Sequence, residues 1–305
     1  MLAISAESFA EAYSAILNEL EHAPAVMPRS MLVKEKLAIS FQIRYPRTRL
    51  ALSPGRRWNL SFAVAEFLWV ASGRNDLEYI RPYNSRMAEF SDDGMTFYGS
   101  YGARWDAVGV ELKLREDRNS RQAVTVIWRP EDTRSHSKDI PCTVCWQFLI
   151  RDDQLHMIAT MRSNDAIWGL PYNVFVNTMI QEWLACRLEV GMGTYVHQVG
   201  SMHIYQRHWE TMFGRKWQAV RMESMYAPTF VGQLYAVEKL ARGAPGLHQF
   251  EEYAFSTDLL LKNFMLVLLI HWRRKTKQTY VEIVERLSPW AQRMLADQYG
   301  HEDIE

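Results

Sequence analysis

Two runs, Cys142–Arg151 and Gln154–Arg162, flank the dipeptide Asp152-Asp153 and read as a β-hairpin. Around its start stands Pro141-Cys142-Thr143-Val144-Cys145-Trp146-Gln147-Phe148, and at its end Arg162-Ser163-Asn164-Asp165. A thiol able to act as a nucleophile, an anion clamp and a carboxylate are therefore separated in sequence by one hairpin. Further along lie Gly169-Leu170-Pro171-Tyr172-Asn173 and His203-Ile204-Tyr205.

The chain of 305 residues is long enough to bury a substantial core, and its 48% apolar and 23% charged residues are ordinary for a soluble globular protein. Lysine plus arginine number 35 and aspartate plus glutamate 35, so no global basic field draws the chain to nucleic acid. Three cysteines point to a reducing compartment without a disulfide framework. No secretory signal is visible at the start, and the longest apolar run, Phe264–Ile270, is too short to span a bilayer and reads as a buried core helix. The expectation is a cytoplasmic protein without membrane contact.

Apolar positions Phe9, Tyr13, Ile16, Leu17 and Leu20 predict a helix within residues 5–22, ended by Pro24 and Pro28. Residues 37–52 read as extended. Asn59 reads as the N-cap of an apolar helix from Leu60 to Ala71 that Gly73 closes. Residues 74–121 are polar and glycine-containing and read as loops bearing site residues. A strand is predicted over Gln122–Arg129, a helix over Leu170–Leu188, a strand over Thr194–Gln206, and mainly helices after residue 230. The prediction is one α+β domain over 1–305, with a core at about 30–210 and a helical C-terminal extension at about 230–305.

Each candidate residue has a plain alternative. Cys142 is a nucleophile or a core side chain; its odd separation from Cys145 argues against a dithiol, and no clustered histidines or second cysteine pair complete a metal site. Glu66 sits in Phe62-Ala63-Val64-Ala65-Glu66-Phe67-Leu68-Trp69, where a carboxylate costs free energy unless it is ion-paired or lines a cavity as an acid/base. Arg121 after Ser120, and Arg162 before Ser163, suit phosphate, though arginines are commonly solvated surface groups. His203 and Tyr205 alternate on one strand and face one way, toward a sugar or into a polar core position.

The blocks Glu66-Phe67-Leu68-Trp69, Tyr101-Gly102-Ala103-Arg104-Trp105, Ser120-Arg121, Pro141-Cys142, Arg162-Ser163-Asn164-Asp165, Gly169–Asn173 and Gly200-Ser201 with His203 and Tyr205 agree in order and spacing with one family. Over roughly 30–210 the chain resembles the thymidylate synthase superfamily, which includes the pyrimidine-nucleotide hydroxymethylases. The resemblance implies a mixed sheet, a homodimer, and attack by Cys142 on C6 of a pyrimidine nucleoside monophosphate, after which C5 takes a one-carbon unit from 5,10-methylenetetrahydrofolate. It implies that Glu66 organises proton transfer and water, that Tyr101 lines the site, and that Arg162 and Ser163 hold the phosphate. By the same resemblance Arg121 reaches the partner subunit's phosphate, Arg29 is a further phosphate ligand, Asp165 contacts the folate, His203 and Tyr205 bind the ribose, and Asn173 reads the base.

Four departures from the family pattern matter, the second for phosphate binding and the last two for the choice of product. Thr143 replaces the histidine usual after the nucleophile, Gln122 replaces the second arginine of a pair, Tyr83–Arg86 occupy the region of an expected tryptophan pair, and His301 to Glu305 are not the apolar tail that seals synthase sites. Reduction of an exocyclic methylene at C5 needs a dry, closed site, whereas water gives a hydroxymethyl group. Hydroxymethylation is the expectation, with reductive methylation of deoxyuridylate (dUMP) as the alternative. Asn173 matches the N3 donor and O4 acceptor of uracil and so predicts a uridylate, dUMP or UMP. With its amide reversed it also serves cytosine, which keeps hydroxymethylation of CMP or dCMP as a further alternative.

Overall fold

A computed structural model describes residues 2–226, 228–253 and 258–300. In chain order the first half contains β1 (Leu2–Ala6), α1 (Phe9–Glu21), β2 (Ala25–Val26), β3 (Val33–Ile43), β4 (Leu50–Leu52), α2 (Leu60–Ala71), α3 (Leu77–Ile80), α4 (Ala107–Glu116) and β5 (Val124–Val126). There follow β6 (Thr143–Arg151), β7 (Gln154–Asp165), α5 (Leu170–Arg187), β8 (Gly191–Tyr205), α6 (Trp209–Met212) and β9 (Gln218–Val220). The last part is helical: α7 (Phe230–Ala241), α8 (Leu247–Tyr253), α9 (Leu259–Lys275), α10 (Val281–Val284) and α11 (Pro289–Tyr299).

The hairpin forms as read. Asp152 and Asp153 take φ of 49° and 55°, and Arg151 pairs directly with Gln154. Two left-handed residues give the turn twist that matches paired strands, and aspartate tolerates that region better than most residues. The hairpin is part of a mixed sheet ordered β1-β3-β8-β7-β6-β5, with β2 on the edge of β3; β4 and β9 form a small second sheet. β7 and β8 run parallel, so the chain must cross between them, and α5 is that crossover.

The register separates two faces. Trp146, Ala159, His197 and Phe41 lie side by side across β6, β7, β8 and β3, and all are fully buried. The adjacent row, Val124, Gln147, Ile158, Val196 and Gln42, faces the other way and is partly or well exposed. Helix α5 packs on β7 and β8 on the buried side, α2 packs on α5, and α7 and α9 pack on α2. An all-round apolar helix such as α2 is stable only where it is enclosed like this.

The N-cap of α2 is the predicted one. Asn59 Oδ1 accepts from the Phe62 N–H at 2.9 Å, and Gly73 at φ 72° follows the helix end. The extension also reaches this cap: Gln298 Nε2 donates to Asn59 Oδ1 at 3.1 Å, and its Oε1 accepts from Leu60 N–H at 2.9 Å. Phe264–Ile270 are buried within α9, and among the described residues no helix is long and apolar enough to cross a membrane.

The structure departs from the sequence reading in several places. Residues 74–121 are not all loop: α3 and α4 lie there, and α4 leaves little periodic signal because its buried side is only Val110, Glu111 and Leu114. The strand predicted over Gln122–Arg129 is limited to Val124–Val126, the part that pairs with β6. Residues 2–6, partly assigned to the first helix, pair with β3 as β1. His301 to Glu305 lie outside the described residues.

Replacing Asn59 by alanine removes the cap acceptor and the donor to the Tyr83 carbonyl (3.1 Å). We expect a loss of about 1–2 kcal/mol in urea unfolding.

Candidate active site

The β6–β7 pairing places Cys142 beside Arg162. The Arg162 N–H donates to the Cys142 carbonyl at 2.9 Å, and its side chain reaches back along the same segment. Nε donates to the Pro141 carbonyl at 2.9 Å and Nη2 to the Ile140 carbonyl at 3.0 Å. A guanidinium has five N–H donors, so several stay available on this exposed side chain. The guanidinium also lies over the Trp128 ring, 5.4 Å from its centroid.

Arg162 stands at the junction of two adjoining chambers. One, of about 320 Å³, is lined by Cys142, Glu66, Tyr101 and Asn173, with Trp69, Phe90 and Phe97 among its apolar walls. The other, of about 580 Å³, is lined by Ser163, His203 and Tyr205, with Glu35 and Ser201. Arg29, Lys138, Ile140 and Arg162 line both. Arg29 is held there by a left-handed turn, with φ of 49° at Arg29 and 61° at Ser30.

Glu66 is carried to the first chamber by α2. Its Oε2 is buried without a hydrogen-bond partner, and burial pushes the carboxyl up to about 8. Among the described residues no arginine pairs with this carboxyl, and with its pKa raised to about 8 it holds a proton at neutral pH. Burial also raises the Cys142 thiol, opposed first by Arg162 and then by Arg29, while Asp139 and Asp165 add to the rise. Burial raises the Tyr101 hydroxyl above the usual phenol range, and the Cys142 thiol adds to it. Its ring meets Trp146 edge-on at 6.1 Å.

In the second chamber the His203 and Tyr205 rings meet at 5.3 Å and 87°, as strand alternation predicts. Ser163 Oγ lies 3.4 Å from His203 Nδ1. Burial lowers the His203 imidazole below its ordinary value, and Asp165 opposes the shift. Asn173 opens α5, and its Oδ1 accepts from Asn164 Nδ2 at 2.8 Å.

Two expected residues stand apart from these chambers. Asp165 lies outside both linings, and its Oδ1 accepts from the Ile167 N–H at 2.8 Å. Arg121 is exposed beside β5, where its carbonyl accepts from Gln147 Nε2 at 3.0 Å. Tyr83, in the region of the missing tryptophans, is buried against the extension: its hydroxyl donates to Glu238 at 2.7 Å and accepts from Trp272 at 2.8 Å. Met87 and Phe90 line the first chamber instead.

Several lining residues had no sequence signal. Lys138 and Asp139, four and three residues before Cys142, belong to no recognisable motif that marks them as part of the lining. Gly99 gave a hint as an isolated glycine: a Cβ there would stand 2.2 Å from the Asp139 carbonyl oxygen.

The sequence model of the family described as thymidylate synthase matches residues 33–233. The chain belongs to the thymidylate synthase family. The matched region holds the site residues named above except Arg29, and it ends early in α7. Among relatives, the deoxyuridylate hydroxymethyltransferase of Bacillus phage SP01 is 31% identical over 226 residues, covering 67% of this chain and 59% of that protein. The enzyme of the same name from Pseudomonas phage M6 is 35% identical over 184 residues, covering 54% and 52%. Thymidylate synthase 1 of Bacillus spizizenii is 25% identical over 185 residues, covering 56% and 66%. The chain thus spans little more than half the length of the hydroxymethyltransferases it matches.

Glu66→Gln tests the raised carboxyl. A carboxyl at about 8 in the folded state and near 4.5 when unfolded keeps its proton only when folded, so native stability falls as pH rises through that window. The variant lacks this penalty. Its stability relative to the native protein should therefore increase between pH 5 and pH 8.5, by an amount on the order of a few kcal/mol, in denaturant titrations at each pH.

Proposed function

We propose that the chain binds a pyrimidine nucleoside monophosphate and transfers a one-carbon unit to C5 of a uridylate, releasing the hydroxymethyl product. The observation that carries this reading is the pairing, in one cavity, of Cys142 with a Glu66 carboxyl whose Oε2 has no partner among the described residues, joined through Arg162 to a cationic and hydroxyl-lined chamber. The two relatives at 31% and 35% identity are named for this activity on deoxyuridylate, which supports dUMP as the first substrate to test.

The phosphate is assigned to Arg162, Ser163 and Arg29, the sugar to His203 and Tyr205, and the base edge to Asn173. The Cys142 S–H loses its proton to water and the thiolate forms a bond to C6, while the C5–C6 double-bond pair shifts toward C5 and O4, which makes C5 nucleophilic. Methylenetetrahydrofolate supplies the carbon that C5 accepts; Trp69, Phe90 and Phe97 offer an apolar wall that fits a flat ring system in the Cys142 chamber, and Asp165 is assigned to the same ligand. Glu66, protonated at neutral pH, is placed to donate to the base oxygen and to exchange its proton with water as charge develops. Loss of the C5 proton together with departure of tetrahydrofolate as the amine leaving group leaves an exocyclic methylene; water adds to it, and the sulfur–C6 bond then breaks to restore the ring and release Cys142.

The names of the relatives at 31% and 35% identity support hydroxymethylation over reductive methylation. Among the described residues, nothing after Tyr205 lines either chamber, and the helices of the extension pack behind α2 rather than across the opening.

We also assign a homodimer, with Arg121 completing the partner's phosphate site and a cytoplasmic setting. The open sheet face supports this: Val124 and Val126 are 42% and 57% exposed, beside Gln147 and Cys145 in the register. Arg121 lies next to that face and away from its own chambers.

Incubation with dUMP, UMP, dCMP or CMP and methylenetetrahydrofolate, followed by mass analysis, tests the chemistry. A hydroxymethyl product from a uridylate without dihydrofolate is expected; dihydrofolate formation would assign reductive methylation instead. Cys142→Ser should lose turnover while still binding nucleotide, and Glu66→Gln should lose roughly 10²-fold or more in kcat. Mixing Cys142→Ser and Arg121→Ala chains should restore activity that neither has alone, through heterodimers holding one intact site. No restoration would remove Arg121 from the shared site.

A further inference from the structure

Asn164 lies on β7 next to Asp165, and at 2% exposure it touches no solvent-filled space of its own. Its Nδ2 donates to Asn173 Oδ1, while its own Oδ1 is buried without a partner. Gly169 packs over the pair: a Cβ there would stand 3.2 Å from Asn164 Nδ2 and 3.4 Å from Asn173 Oδ1. Neither the family match nor the relatives' names give this residue a role.

The two ends of an amide have almost the same shape, so space alone does not decide which way Asn173 presents them. A hydrogen-bond partner does. With Asn164 donating, the carbonyl end of Asn173 is directed toward Asn164. One of its lone pairs is then taken, the second is available to a base N3–H, and the amine end is available to O4. That is the pattern of uracil. If Asn173 turned over alone, its NH₂ would oppose the NH₂ of Asn164, and a buried donor would be left facing a donor.

We propose that Asn164 is a positioning residue that sets the amide orientation of Asn173 and through it the preference for uracil over cytosine. The proposal rests on the reading of Asn173 as the base-facing residue. Asn164 makes no contact with substrate; it acts through its hydrogen bond to Asn173. A purely packing role would weaken all ligands of the site alike. An orienting role changes only the ratio between bases that differ in their donor and acceptor pattern.

The test compares binding of dUMP, dCMP and the base-free ribose 5-phosphate by calorimetry, in the native chain and in Asn164→Leu and Asn164→Ser. The leucine has similar volume and no donor. It should lower the dUMP-over-dCMP preference by about tenfold while leaving ribose 5-phosphate within about twofold of native. The serine keeps a smaller donor and should lie between the two. If leucine prevents folding, serine alone carries the test through a partial loss of preference. An unchanged ratio in the folded variants overturns the proposal, as does an equal weakening of all three ligands. Failure of the native chain to bind either nucleotide would instead overturn the nucleotide-binding reading itself.

Discussion

The site depends on how Arg162 is held. Its backbone N–H pairs with Cys142, and its guanidinium is anchored on the Pro141 and Ile140 carbonyls. This one side chain therefore ties the segment before β6 to β7 and is part of the wall that both chambers share. A cation so placed opposes the burial penalty on the Cys142 thiol, and its uncommitted donors face the space assigned to a phosphate. Anchoring on neutral carbonyls leaves its charge uncancelled, which a carboxylate partner would not.

The second constraint is the enclosure of α2. A helix apolar on all sides is stable only between other layers, and α5 on one side with α7 and α9 on the other provide them. The carboxyl of Glu66 is carried into the cavity wall by that packing, at a cost paid by the surrounding apolar burial. The extension thus contributes to the site from behind. Gln298 bonds both to the Asn59 cap and to the first turn of α2, so residues far along the chain hold the helix that bears the acid.

Much of this was legible in the sequence where local rules act alone. The cap at Asn59, the stop at Gly73, the Asp152-Asp153 turn and the shared face of His203 and Tyr205 follow from backbone preferences and strand alternation. Helix α4 was missed because its stability comes from a few contacts and from ion pairs of Glu111 with Arg115 and Arg187, which leave little periodic signal. Lys138 and Asp139 were missed because no local pattern distinguishes a loop residue that folds beside a thiol from one that meets solvent.

By itself, then, the sequence determined the hairpin, the order of the site motifs and the family to which they belong, because those depend on spacing along the chain. Only the tertiary structure decided what those groups are chemically. Whether Glu66 is paired or alone and whether the extension supports α2 depend on groups distant in sequence, and which end of the Asn173 amide meets Asn164 depends on how β7 leads into α5. Burial and the presence or absence of a partner set the charge of an acid and the direction of an amide, and both are properties of the packed molecule.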